Sequence, residues 1–126
     1  MSALRVSAEG QRQLCRGQGA ELCWTRRPAP LSSLEVLDIF RRKTAPAFEV
    51  ALRLGALYAG LDRHEAVSEV LRAYSEALGI AYQIRDDLTD LGATGETNDI
   101  AALRPSLLLA VAYEKAPPRS KGRLEA

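Results

Sequence analysis

Cysteine and histidine are scarce: two cysteines and one histidine in 126 residues. Cys15 and Cys23 lie eight positions apart with no histidine pair to complete a zinc set, which excludes a zinc-stabilised fold. They read as buried free thiols of a reducing compartment. Aromatic residues make up only 6%, too few for a base-stacking platform. An excess of positive charge is also missing. Seventeen basic against sixteen acidic residues leave +1, which argues against a nucleic-acid or anionic-membrane binder. The longest apolar run, Leu107 to Tyr113, is too short for a transmembrane segment. The first residues, MSALRVSAEG, lack the apolar core of a signal peptide, so a cytoplasmic location is expected. There is no glycine-rich strand-to-helix phosphate loop and no nucleophile beside a base. His64, in a polar loop, reads as a surface residue.

What is present points to one all-α domain. Apolar residues make up 47% and charged residues 26%, the composition of a globular protein with one modest core. Helix formers dominate, and the period-two alternation of strands is absent. Ser2 to Trp24 reads as helical, although Gly10, Gly17 and Gly19 weaken it. TRRPAPLSS is a loop, after which Ser32 or Ser33 caps a second helix with Glu35 in its first turn. Pro46 predicts a kink or a fresh helix start near Thr44. The following stretch, AFEVALRLGALYAG, is apolar nearly all round and closes at Gly60. A long helix spans about 65 to 91, and a last one spans 105 to 114, with Asn98 or Asp99 as a candidate cap. The domain is expected over residues 1–114, and residues 115–126 form a polar, proline-bearing tail expected to be disordered.

One stretch breaks two helix rules together. In GIAYQIRDDLTDL, at about 100° per residue, Gly79, Gln83, Asp86, Asp87 and Asp90 fall within an arc of roughly 100°. Like charges one turn apart repel, and late in a helix the dipole disfavours anions. Such a conflict has two readings: a solvated acidic helix end, or a site for a hard divalent cation with oxygen ligands. Gly79, one turn before Gln83, would leave room for a bulky ligand on that face. Arg41, Arg42, Lys43 and Thr44 form a basic cluster that suits phosphate oxygens, or else an exposed basic helix end. Arg104, Pro105 and Ser106 are a third candidate, a cation at a helix start where an anion would offset the dipole.

Taken in order, these segments resemble the trans-polyprenyl diphosphate synthase family. GQGAEL at 17–22 is similar to the family's GQxxDL, with Glu21 for aspartate. FRRKTAPAFEVALRLGALYAG resembles its segment carrying KT, matched by Lys43 and Thr44. LGIAYQIRDDLTDL resembles the second aspartate-rich motif, with Tyr82 for phenylalanine. NDIAALRPSLLLA resembles the family's lysine-proline-threonine segment, with Arg104 for lysine and Ser106 for threonine. Four motifs in order, spanning about Gly17 to Ala112, are far more specific than any one.

The resemblance implies the C-terminal helices of an isoprenoid synthase bundle, and a prenyltransferase. Such enzymes condense isopentenyl diphosphate with an allylic diphosphate, using Mg2+, to make a linear polyprenyl diphosphate. Asp86, Asp87 and Asp90 would hold magnesium, Asp86 foremost. Lys43 and Arg104 would bind diphosphate, and Thr44 and Gln83 would stabilise the developing carbocation. The first aspartate-rich motif, the upstream isopentenyl-diphosphate-binding residues and the lysine of the loop after the second motif have no counterpart here. The chain therefore reads as a partial fold, inactive alone. It needs N-terminal helices or a homologous subunit; the alternative is a non-catalytic subunit or degenerate remnant that binds a helical partner.

Overall fold

The computed structural model describes residues 2–61, 65–91 and 104–124. It is all-α among these residues, with α1 (Ala3–Arg26), α2 (Ser33–Tyr58), α3 (Glu65–Leu91), α4 (Leu107–Lys115) and α5 (Pro118–Leu124). Asn98, Asp99 and His64 lie outside the described residues.

Local chemistry sets the helix ends. The Ser2 hydroxyl accepts from the Arg5 amide and caps α1. At the far end the Trp24 indole donates to the Ala29 carbonyl at 2.8 Å, folding the proline loop back on the helix. A reciprocal capping box starts α2: the Ser32 hydroxyl accepts from the Glu35 amide, and the Glu35 carboxylate accepts from the Ser32 amide. The Ser33 amide donates to Glu114 of α4 at 2.7 Å, placing a second carboxylate at the same N-terminus. Gly60, at φ +74°, ends the turn after α2, with the Leu61 amide returning to the Ala56 carbonyl.

No fresh helix starts in the middle of α2. It runs unbroken from Ser33 to Tyr58 with Pro46 buried inside it. Pro46 cannot donate to the Arg42 carbonyl four residues back. α1 packs tightly there: a Cβ on Gly17 would lie 2.4 Å from the Arg42 carbonyl oxygen. Tertiary packing on both sides of α2 holds the helix through a residue that disfavours it.

Glycine sets both helix crossings. On α1, Gly10 and Gly17 are seven apart and face Val50 and Arg42–Lys43 of α2. On α3, Gly79 packs on Ala45, where a Cβ would sit 2.7 Å from the Ala45 nitrogen. Gly79 therefore makes room for a neighbouring helix, not for a ligand. α2 is central and touches α1, α3 and α4, while α1 and α3 do not meet. Leu57 and Val67 at one end, with Ala45 and Gly79 further along, show that α2 and α3 run antiparallel.

The buried apolar core is small: Val6, Val36, Phe40, Ala45 and Ala110. Val36, Phe40 and Ala110 form its centre, with Leu31, Leu37, Ile84 and Leu107 against them. Both cysteines are free, as expected, but exposed, because each lies off the face of α1 that Gly10 and Gly17 turn toward α2. The last long helix starts at Leu107, not Pro105, because Ser106 is extended and acts as the N-cap. The tail differs from the expected disorder: Pro118–Leu124 is helical, with Pro at its first position and Lys121 over the Tyr113 ring at 4.8 Å.

Candidate functional site

Ala45 directly follows Thr44, and Gly79 lies one turn before Gln83. Their close contact packs α2 next to Thr44 against α3 one turn before Gln83, while Lys43 turns toward α1 and Asp86 and Asp90 lie about two and three turns further along α3. The separation of 34 residues in sequence between Ala45 and Gly79 is closed by a contact that only small side chains permit.

Within the basic cluster the three cations part company. Arg41 and Arg42 both turn to Asp38, at 2.6 Å each, and Arg41 also reaches Glu76 at 3.7 Å. The Arg41 hydrogen bond holds the Asp38 carboxyl below its ordinary range; burial opposes this and Arg42 adds to it. Lys43 points away from that group, toward α1. Its ammonium lies 3.1 Å from the Glu21 carboxylate and 5.5 Å from the Phe40 ring centre. The Lys43 and Glu21 side chains are only 13% and 12% exposed, so this pair is largely out of water. Glu21 had a motif position but no role in the sequence reading. Its place in GQGAEL was the available signal. An ammonium has three donors, and Glu21 takes one.

The aspartates part as well. Asp86 is 42% exposed at its side chain, with Arg85 at 3.8 Å. Asp90, one turn on, is half-buried, as are Gln83 and Thr44. Asp87 is 5% exposed and is engaged elsewhere: its Oδ2 accepts from the Leu107 amide at 2.7 Å and from the Ser106 hydroxyl at 3.3 Å. Among the described residues no three acidic, histidine or cysteine side chains converge as a metal cage. What remains is Asp86 with Asp90, hard oxygen donors on a partly open face. That set suits a magnesium ion held by one or two carboxylates together with phosphate oxygens, not a preformed three-carboxylate site. Arg104 is exposed, two residues before the Ser106 that meets Asp87.

An open groove of about 710 Å3 lies elsewhere, between α1, α2 and α3. Six arginines line it, Arg5, Arg16, Arg41, Arg42, Arg53 and Arg72, and none of Lys43, Thr44, Gln83 or Asp86 does. Arg41, Arg42, Arg53 and Arg72 are bridged to Asp38, Glu49 or Glu76, so much of its charge is neutralised within the fold. Volume alone would select this groove. The chemistry selects the Ala45–Gly79 crossing.

The family model described as Polyprenyl synthetase matches residues 1–126. The chain belongs to the polyprenyl synthetase family. It is 40% identical over 86 residues to the farnesyl diphosphate synthase of Escherichia coli, covering 68% of this chain and 28% of that protein. It is 38% identical over 87 residues to a (2E,6E)-farnesyl diphosphate synthase of Mycobacterium tuberculosis, covering 69% and 23%. A short chain isoprenyl diphosphate synthase of Methanothermobacter thermautotrophicus is 27% identical over 128 residues, covering 97% and 38%. The chain thus spans about a quarter to two fifths of the curated relatives it matches. No solved structure gives a significant match. Among the described residues no helix is long and apolar enough to cross a membrane.

Proposed function

We propose that this chain serves a prenyltransferase of isoprenoid biosynthesis. The reaction joins isopentenyl diphosphate to an allylic diphosphate and yields a linear polyprenyl diphosphate. The observation that supports this reading is the Ala45–Gly79 crossing, which packs the helix carrying Lys43 and Thr44 on the helix carrying Gln83, Asp86 and Asp90, in a member of this family.

Asp86 and Asp90 would hold magnesium, which would supply positive charge for a substrate diphosphate as it departs. Lys43, held by Glu21, directs its remaining donors at the diphosphate, and Arg104 supplies a second cation. The Thr44 hydroxyl and the Gln83 amide oxygen present dipoles to the allylic cation left when the diphosphate departs. The isopentenyl double bond then attacks that cation, and loss of a proton restores neutrality.

The sequence holds one aspartate-rich motif, so a clamp with carboxylates on both sides draws its opposing set from another segment or subunit. Exposed Leu4, Leu34, Tyr58 and Val70 favour a helical partner on these faces. The test is a condensation assay with both diphosphates and magnesium. The purified 126 residues should show no product, and adding a family segment that carries the first aspartate-rich motif should restore it. Turnover by the chain alone would overturn the half-clamp reading.

A further inference from the structure

Asp87 stands out among the three aspartates. It is the most buried, and one of its oxygens receives two donors from the segment that starts α4. Ser106, the N-cap residue of α4, makes no side-chain cap of its own; its hydroxyl donates to Asp87 instead. The Leu107 amide, first of the helical N–H groups without an intrahelical partner, also finds Asp87. A carboxylate from a distant helix thus does what a local cap side chain ordinarily does, and its negative charge lies at the favourable end of the α4 dipole.

We propose that Asp87 is a positioning residue, not a magnesium ligand. It anchors the start of α4, 20 residues further along the chain. Arg104 lies three residues before Leu107, with the buried Pro105 and Ser106 between them. Fixing Ser106 and Leu107 therefore fixes where Arg104 can reach. In this arrangement the adjacent aspartates of α3 divide the labour. Asp86 keeps 42% of its side chain exposed with Arg85 at 3.8 Å, and Asp87, about 100° further round the helix, turns to α4. A metal competing for Asp87 would have to strip a buried cap from a helix N-terminus, whereas Asp86 and Asp90 carry no such obligation.

The role of Asp87 as a cap stands on the hydrogen bonds alone; its consequence for Arg104 rests on the reading of this face as a diphosphate site. Two measurements on the whole chain separate these. The first is amide exchange at Leu107 in the absence of any ligand, compared among wild type, Asp87→Asn, Asp87→Ala and Ser106→Ala. Asparagine keeps an acceptor oxygen for both donors, so exchange should rise by less than about threefold in Asp87→Asn and by about tenfold or more in Asp87→Ala. Ser106→Ala should fall between them. The second is titration with Mg2+ and inorganic diphosphate. Asp86→Asn should weaken binding about tenfold or more, while Asp87→Asn should stay within about threefold of wild type.

If Asp87→Asn loses magnesium-dependent binding as fully as Asp86→Asn, Asp87 is a ligand and the proposal fails. It fails equally if Asp87→Ala leaves Leu107 as protected as in wild type. Should Asp87→Ala not fold, the Asp87→Asn and Ser106→Ala comparisons still decide the matter. If wild type binds no diphosphate at all, the reading of the face as a diphosphate site is lost. The exchange arm still decides the anchor.

Discussion

Lys43 shows how much of a side chain's role depends on a partner the linear sequence does not place beside it. Its neighbours Arg41 and Arg42 look equivalent in sequence, yet only Lys43 turns toward α1 and the Glu21 carboxylate. Replacing Glu21 by alanine leaves a mostly buried ammonium without its counter-ion. It should destabilise the fold by about 1–3 kcal/mol, measured by urea unfolding. Glutamine, which keeps an acceptor, should cost less. Asp38 offers a pH test. Its folded-state pKa lies below its ordinary 3.8, mainly through Arg41, so its contribution is present above the unfolded value and is lost as pH falls through the folded one. Asp38→Asn should therefore lower the urea midpoint at pH 7, and the gap from wild type should narrow as pH drops below about 4. A gap that widens in acid would contradict this.

The helices were legible where the signals are local. Ser32 or Ser33 and Gly60 mark the two ends of α2 in the sequence; Ser32 is the cap, with Glu35 completing a box that the sequence reading left unstated, and Gly60 closes the far end. The misjudged positions were those whose cost is local and whose compensation is not. Pro46 and the α1 glycines each weaken a helix considered alone, but α2 presents Arg42 and Val50 to those glycines, which period and propensity do not reveal. Gly79 was misread for the same reason: its missing side chain serves Ala45. Gly17→Ala and Gly79→Ala should each cost about 1–3 kcal/mol, because the new methyl meets backbone atoms that cannot move aside cheaply. Gly19, in the same helix with nothing within 4 Å of a Cβ, is the control. Gly19→Ala should stabilise by about 0.5–1 kcal/mol, and thermal melts of the three variants check the ordering.

For the molecule as a whole, the all-α class and the order of motifs were readable because four segments match one family in sequence order. The packing of the KT-bearing helix on the aspartate-bearing helix is not readable from spacing; it rests on the antiparallel crossing at Ala45 and Gly79. The division among Asp86, Asp87 and Asp90 was also hidden, since Ser106 and Leu107 reach Asp87 across the chain segment that separates α3 from α4. Among the described residues the buried hydrophobic core is small, while Leu4 is 81% and Tyr58 97% exposed, a balance consistent with the helical partner proposed above. The central claim is that the face at this crossing binds a diphosphate through magnesium. The most direct measurement is calorimetric titration of the 126-residue chain with inorganic diphosphate, with and without Mg2+, in wild type and Asp86→Asn. Binding should require Mg2+ and weaken about tenfold or more in the variant. Equal binding without the metal, or an unchanged affinity in Asp86→Asn, would contradict the account.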